Sequence, residues 1–584
     1  MTNDFRLKAE DRTIEDILFS TNEKYELPRF QRQYTWSPDQ ADEFWQDLIG
    51  EDSVPFLGSF IFNLENKAKT GYVEVVDGQQ RLLTITILLA AIRDVLTEIG
   101  DKDYAQRIQS QRIAFQDTRS GKYTFRVKPG DTLRDFFEAF IQDKPDEKAH
   151  DKVLRKEQKL VLDNYFHFRT LIADLVNRKE TSLDKKGIID ELLSKIEEIK
   201  IIRIDIYSDE DAYTVFESVN ARGVELSVAD LLKNLIFKHL KPTEGSVDLA
   251  KKKWQEIEDN IFASSLNMPT FLRHYWLSRH GHTSEKKLYK EIKRVVDTEN
   301  IEGFLEDILD ASRWYSLIDS GSREDWEPID KGIKIYKTLL GIRAMGVTQC
   351  YVIFLAILQN LERLSFDPTT YFESVEKFSF KYSAISKQQA NKAEKLYSKN
   401  AVELWKVLPT SKKLNKKDAI AAQRKLDLLI QELRRLSPTK SLFKENFMEL
   451  SYKKSSKSRL LLKYVLSKTN FYLGQKEFEL NFDQVNLEHI LPQKPEEEWG
   501  LTEGEIAGYV NLIGNLTLVH KEINSRAGNK NLKVKSKHLE ESDIRITKLL
   551  VEQIKDSKYV WNEKTIRERQ AWLAEVAYDK IWVM

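Results

Sequence analysis

The sequence predicts a helix-rich α+β protein of several domains, and three observations carry that expectation. The chain has 584 residues, whereas single hydrophobic cores stop growing at roughly 250–300 residues. From about 242 to 438, apolar residues recur at helical spacing, as in IKIYKTLLGIRAMG and YVIFLAILQNLERL, and strand patterns nearly vanish. Strand-like stretches are confined to the two ends of the chain.

In chain order, residues 11–50 read as two helices around the loop LPRFQRQYTW, the second starting at Pro38. VPFLGSFIFNL at 54–64 and YVEVV at 72–76 read as strands. The second runs straight into Asp77-Gly78-Gln79-Gln80-Arg81, and a helix follows to about Ile99. Residues 101–195 look helical, and IKIIRIDIY at 199–207 alternates as a strand does. VADLLKNLIFKHL forms a helix. The helical stretch follows, and after it the helix RLLLKYVLSK, a hairpin at FYLGQKEFEL, a strand ending at Glu488-His489, then IGNLTLV and a helix near Lys521. The expected domains are 1–240, a small mixed sheet wrapped by helices, 241–440, helical, and 441–584.

With 92 basic and 92 acidic residues the formal charge is zero. This excludes a uniformly basic nucleic-acid coat but leaves room for a local basic face. Residues 387–463 supply one, with 20 Lys/Arg against 7 Asp/Glu. A hydrophobic fraction of 41% and an aromatic fraction of 11% exclude a disordered chain. Cys350 is the only cysteine, so a disulfide framework, a cysteine-based zinc site and an iron–sulfur cluster are excluded. The polar start and the short apolar run at Leu82–Ile92 give no membrane segment. The expectation is a soluble, cytoplasmic protein with no membrane partner.

Two constellations carry chemistry. Hydrolysis of a phosphodiester needs a base for water, a hard cation at the phosphate, and ligands for that cation. Glu488 and His489 place an oxygen ligand beside a base at a strand end, and Asn515 and Asn524 add amide oxygens. Carboxylate and amide donors suit magnesium or manganese better than zinc. Lys521, Arg526 and Lys530, with Lys533, Lys535 and Lys537, surround the helix and could contact DNA phosphates. Taken singly, each of these residues also fits a plainer role, a surface histidine near a proline turn, a turn-capping asparagine or a solvated lysine.

Near the other end, Asp77-Gly78-Gln79-Gln80-Arg81 sits where a strand meets a helix N-terminus, a junction that attracts anions. Gly78 lets a ligand approach the backbone, Arg81 can pair with phosphate, and Asp77 can hold a metal or orient water. The plainer reading is a tight turn with an N-cap aspartate and a surface arginine, and for Phe30, Tyr34 and Trp36 core packing is favoured. No Walker loop is present.

The C-terminal pattern resembles the HNH (ββα-metal) nucleases. That resemblance implies His489 as general base, Glu488 and Asn524 as metal ligands and Asn515 as the residue that orients the histidine, with Asn529 a further candidate ligand. Glu488 departs from the commoner aspartate, and no cysteine pairs brace the finger. The DGQQR segment resembles the ParB/sulfiredoxin-like nucleotide-binding core. FQRQYTW at 30–36 and FESVNARGVELS at 216–227 are similar to the GmrSD-type restriction family, in which a ParB-like NTPase domain precedes an HNH-like nuclease domain. By that resemblance Gln31, Arg32, Asp77, Gly78, Gln79, Gln80 and Arg81 line a nucleotide pocket, joined by Asn220, Arg222 and Gly223. The implied activities are hydrolysis of a nucleoside triphosphate (GTP, ATP or UTP) and magnesium- or manganese-dependent cleavage of modified, phage-type DNA. The partners are then DNA and the nucleotide, with a homodimer left open. A toxin-like or RNA-directed nuclease and a non-cleaving DNA sensor stay open as alternatives.

Overall fold

Alternating valines in YVEVV and the long apolar stretch of FLGSFIFN build adjacent strands, and the rest of the first sheet forms around them. The computed structural model describes residues 7–584 apart from 21–22, 29, 31–32, 51–54, 117–122, 144–153, 178–183, 209–210, 213–226, 243–246, 409–415 and 475–484. The chain divides into two compact units, residues 1–255 with 289–305, and residues 256–288 with 306–584. Both are helix-rich, and the class is α+β.

In the first unit the strands are β1 (Leu7–Thr13), β2 (Tyr25–Glu26), β3 (Phe56–Asn63), β4 (Val73–Asp77), the short β5 (Ala114–Gln116) and β6 (Tyr123–Phe125), β7 (Val127–Lys128) and β8 (Lys200–Ile206). Six of them form one mixed sheet in the order β1-β8-β3-β4-β2-β7, while β5 and β6 pair separately. Helix α1 (Pro38–Ile49) starts at the expected proline, with Ser37 and Gln40 closing a capping box. Helix α2 (Gln79–Glu98) follows β4 and is buried on almost every face, which accounts for its unbroken apolar run. It packs beside α3 (Lys156–Val176) in a core that also takes in Phe60, Phe62, Trp45 and Ile201.

Two expectations need correction here. The first of the two helices expected within 11–50 is a single turn, Glu15–Phe19, preceded by the strand β1. LKAEDRT has no strand-like alternation of its own; it is held by antiparallel pairing with β8, from Leu7↔Ile206 to Thr13↔Lys200. Residues 101–195 are also not wholly helical, since they include β5, β6 and β7.

The second unit is built mainly of helices, among them α4 (Met268–Arg279), α5 (Tyr351–Leu358), α6 (Ala390–Val407), α7 (Lys416–Leu436) and α8 (Ser456–Tyr472). Because α8 runs through Phe471 and Tyr472, the expected hairpin does not start there, and its remainder lies outside the described residues. The apolar run of α5 is buried throughout. His274 on α4 is buried, with Nδ1 2.9 Å from the Tyr315 hydroxyl. Burial pushes its pKa down to about 4 from an ordinary 6.5, with Glu394 pulling it up and Arg273 pushing it down more weakly. Between those values the unfolded chain takes up a proton that the folded chain refuses. Stability is therefore lost as pH falls from 6.5 towards 4, by up to roughly 3 kcal/mol from this group. Thermal unfolding across that window should show the loss, and His274→Leu should flatten it.

The same unit carries the strands β9 (Val485–His489) and β10 (Leu516–His520), then helices α9 (Lys521–Ala527), α10 (Leu532–Glu540) and α11 (Glu563–Val576).

Candidate active site

Strands β9 and β10 pair antiparallel, from Val485↔His520 to His489↔Leu516, and α9 follows β10 without a gap. VNLEH and LTLVH both have the alternation of a two-stranded ribbon. The turn before β10 depends on Gly514, because a Cβ there would stand 2.1 Å from the Ile566 carbonyl oxygen of α11. The buried Arg569, one turn further along α11, donates to the carbonyls of Gly514 at 2.7 Å and Leu516 at 2.8 Å. The Ile-Gly-Asn run is thus a close seat for a helix.

His489 closes β9. Its Nε2 lies 3.2 Å from Asn511 Oδ1, an oxygen that also accepts from the Gln493 amide at 2.7 Å. An amide oxygen only accepts, so that bond places the ring proton on Nε2 and leaves the Nδ1 lone pair to take a proton. Tyr452 meets the ring edge-on at 5.1 Å. Burial pushes the imidazole pKa down to about 4, while the Asn511 bond raises it and Lys535 lowers it. A half-buried, neutral, oriented imidazole has the state a general base requires.

Asn515 does not orient that ring through its side chain. It is fully buried, and its amide oxygen accepts from Leu491 N and from Trp561 Nε1, both at 2.9 Å. Its Nδ2 donates to the carbonyls of Leu491 at 2.8 Å and Val510 at 2.7 Å. Two of these four bonds hold Leu491, just past His489, and the other two tie in Val510 and Trp561. The orienting contact falls instead to Asn511, four residues earlier. Nothing in the local sequence separates the two asparagines, which flank the same turn.

Asn524 lies on α9, and its amide oxygen is buried without a hydrogen-bond partner. It borders a cleft of about 530 Å³ that Tyr452, Arg459, Lys463, Asn486 and Leu487 also line. Tyr452 therefore touches both the cleft and the His489 ring. An orphaned buried amide oxygen is the kind of donor a hard cation takes, while the basic side chains of the cleft favour an anion such as phosphate. Glu488 does not fit that role as it stands. Its Oε1 lies 2.5 Å from the ammonium of Lys535 on α10. Burial pushes the Glu488 carboxyl up and the Lys535 ammonium down, each against the pull of the other's charge. Lys535, grouped by the sequence with phosphate-facing lysines, is in fact fully buried. Among the described residues no three His, Cys, Asp or Glu side chains cluster to hold a metal ion. Lys521 and Lys530 are exposed, as is Asn529, and Arg526 is paired with Glu541 at 2.7 Å.

In the first unit the two N-terminal motifs meet. Gly78 takes φ +98°, and a Cβ there would stand 2.5 Å from the Phe60 ring, so only glycine fits between β4 and α2. Gln80 accepts from Thr35 N at 2.8 Å and donates to the Gln33 carbonyl at 3.0 Å. Tyr34, in the core, shares a hydrogen bond with Thr84 at 2.7 Å. Arg81 is less open to a phosphate than expected. It donates to the carbonyls of Leu57 at 2.6 Å and Ser59 at 2.8 Å and pairs with Asp77 at 3.0 Å. Its guanidinium thus clamps β3 to the start of α2. The Gln79 amide oxygen is buried and has no hydrogen-bond partner. Gln31, Arg32, Asn220, Arg222 and Gly223 lie outside the described residues.

Among the described residues no helix is long and apolar enough to cross a membrane. No curated protein matches the chain. Two family models do: the N-terminal domain of the GmrSD restriction endonuclease over residues 14–237, and the C-terminal domain of the GmrSD restriction endonucleases over residues 437–576. The first spans the sheet apart from β1 and takes in the DGQQR junction, the second the β9–β10–α9 segment with His489. Together they cover more than half of the sequence, and the chain belongs to the GmrSD family of type IV restriction endonucleases, nucleases that act on DNA.

Proposed function

We propose that the chain is a nucleotide-regulated, metal-dependent endonuclease that cuts modified phage DNA, with an HNH-type centre near its carboxyl end and a ParB-like NTPase centre near its amino end. The division into 1–240, 241–440 and 441–584 belongs to this proposal. The observation that carries it is His489, a neutral imidazole whose Nε2 is held by Asn511 and whose neighbour Tyr452 opens on a basic cleft.

A water beside the ring gives its proton to His489 Nδ1 as its oxygen bonds to the phosphorus, and Asn511 keeps the imidazolium in place as it forms. The P–O bond to the leaving oxygen breaks, and that oxygen takes a proton from solvent. Arg459 and Lys463 favour the phosphate there by charge. A magnesium or manganese ion, when bound, supplies positive charge to the phosphate in the transition state. The Asn524 oxygen is the donor that would hold it.

A second basic surface supports binding of the DNA backbone. Lys392, Lys395 and Lys399 of α6 and Arg435 of α7 line a concavity of about 550 Å³. Glu432 within it is paired with Lys399 at 2.5 Å and accepts from the Asn400 amide at 2.7 Å. Phosphate contacts of this kind weaken as salt rises.

At the other end, the unpartnered Gln79 oxygen at the start of a long helix supports a nucleotide site, where it would accept from a ligand N–H or O–H. GTP, ATP and UTP all carry such donors. The reading is tested with Asp77→Asn, which keeps an acceptor for Arg81. Phosphate release from the triphosphates should fall at least about tenfold if Asp77 acts at the reacting phosphate, with the fold unchanged by circular dichroism. If hydrolysis survives at the wild-type rate, the pocket assignment is wrong.

A further inference from the structure

Lys535 is the least exposed lysine-to-acid contact around the site. Its side chain is 1% exposed and that of Glu488 14%. The ammonium makes two contacts, to Glu488 Oε1 at 2.5 Å and to the His489 carbonyl oxygen at 2.6 Å. Both contacts fall on the two adjacent residues of the motif. A lysine this far from water cannot reach a DNA phosphate. It is tolerated only because its charge is paired and its protons are bonded.

The arrangement conflicts with direct ligation by Glu488. A cation already sits against that carboxylate. A divalent ion on the same group would bring two positive charges within a few ångströms in a poorly hydrated place, where repulsion is strong. Asn524 differs in that its oxygen, beside the cleft, is held by no cation of its own.

We propose that Glu488 is the buried counterion of Lys535 and not a ligand of the divalent cation. The pair is a positioning device: it pins α10 to the end of β9 and fixes the backbone from which the His489 ring projects. The positioning role stands on geometry alone; its contrast with metal ligation rests on the metal-dependent reading above.

The test is a double-mutant cycle in the full chain, with Glu488→Gln, Lys535→Met and the two combined. Thermal unfolding is measured for each, and binding of Mn²⁺ alone is followed by electron paramagnetic resonance. Each single change leaves one buried charge bare, so the combined variant should be more stable than the sum of the single losses predicts. If a single variant does not fold and the combined one does, the coupling is shown directly. Glu488→Gln should bind Mn²⁺ within twofold of wild type. In the folded combined variant, KM for DNA should stay within twofold while kcat falls at least tenfold, because the pair aims His489 and touches no DNA. Additive losses in the cycle, or a tenfold loss of Mn²⁺ binding in Glu488→Gln, would overturn the proposal. Absence of Mn²⁺ binding by the wild type would remove the metal reading instead, and the cycle would still decide the role of the pair.

Discussion

His489→Ala is expected to lower DNA cleavage by about 10²–10⁴-fold, the usual contribution of a positioned general base. Hydrolysis of nucleoside triphosphate should stay near the wild-type rate. The ring's Nε2 bond goes to Asn511, whose oxygen keeps the Gln493 amide as a second donor, so no buried group is left bare. Melting should therefore change little. The change removes the oriented imidazole at the end of β9, which burial keeps uncharged near neutral pH. Nicked-plasmid assays, phosphate release and thermal melts on the same preparation check all three statements. Loss of both activities together would argue against separable centres.

Asn515→Ala should act quite differently, through stability. Four buried groups lose their partner at once, namely Leu491 N, the carbonyls of Leu491 and Val510, and Trp561 Nε1. Each buried group left unsatisfied costs about 1–3 kcal/mol, and after partial relaxation the sum is roughly 3–6 kcal/mol. The second unit should melt at markedly lower temperature, and any loss of cleavage should follow the loss of fold. Asn511→Ala is the contrasting variant. Asn511 is half-buried and bonds His489 and Gln493, so its removal should leave melting nearly unchanged while cleavage falls by at least about tenfold, as when other catalytic histidines lose their orienting partner. If Asn515→Ala melts like wild type and only cleavage is lost, the bracing role assigned to Asn515 is wrong.

The parts of the fold legible in the sequence are those whose pattern is local. β4 announces itself by alternating valines. Gly78 marks its junction with α2 because no other residue clears Phe60, and the helices of the second unit follow from spacing alone. β1 was not legible, because LKAEDRT becomes a strand only by pairing with β8, whose sequence lies some 190 residues on. The same holds at the site. Glu488-His489 at a strand end, followed by a second strand and a helix carrying Asn524, is a local pattern and is read directly. Whether Asn511 or Asn515 faces the imidazole depends on how the turn folds around Gly514 against α11, which no neighbouring residue encodes. Lys535 looks like Lys533 and Lys537 in the sequence, and only the packing of α10 against β9 separates the buried cation from the surface ones. Arg81 is a similar case: beside a helix N-terminus it suggests a phosphate ligand, yet two strand carbonyls and Asp77 take its protons.

The central claim is that His489 and a divalent ion together cut modified DNA under nucleotide control. The most direct test incubates the wild-type chain with plasmid and phage DNA, modified and unmodified, and with RNA, in magnesium or in EDTA, with and without each triphosphate. Cleavage of modified DNA alone, present in magnesium, absent in EDTA, altered by a triphosphate and lost in His489→Ala, is the predicted result. Cleavage that persists in EDTA, that falls on RNA, or that survives loss of the imidazole would contradict it.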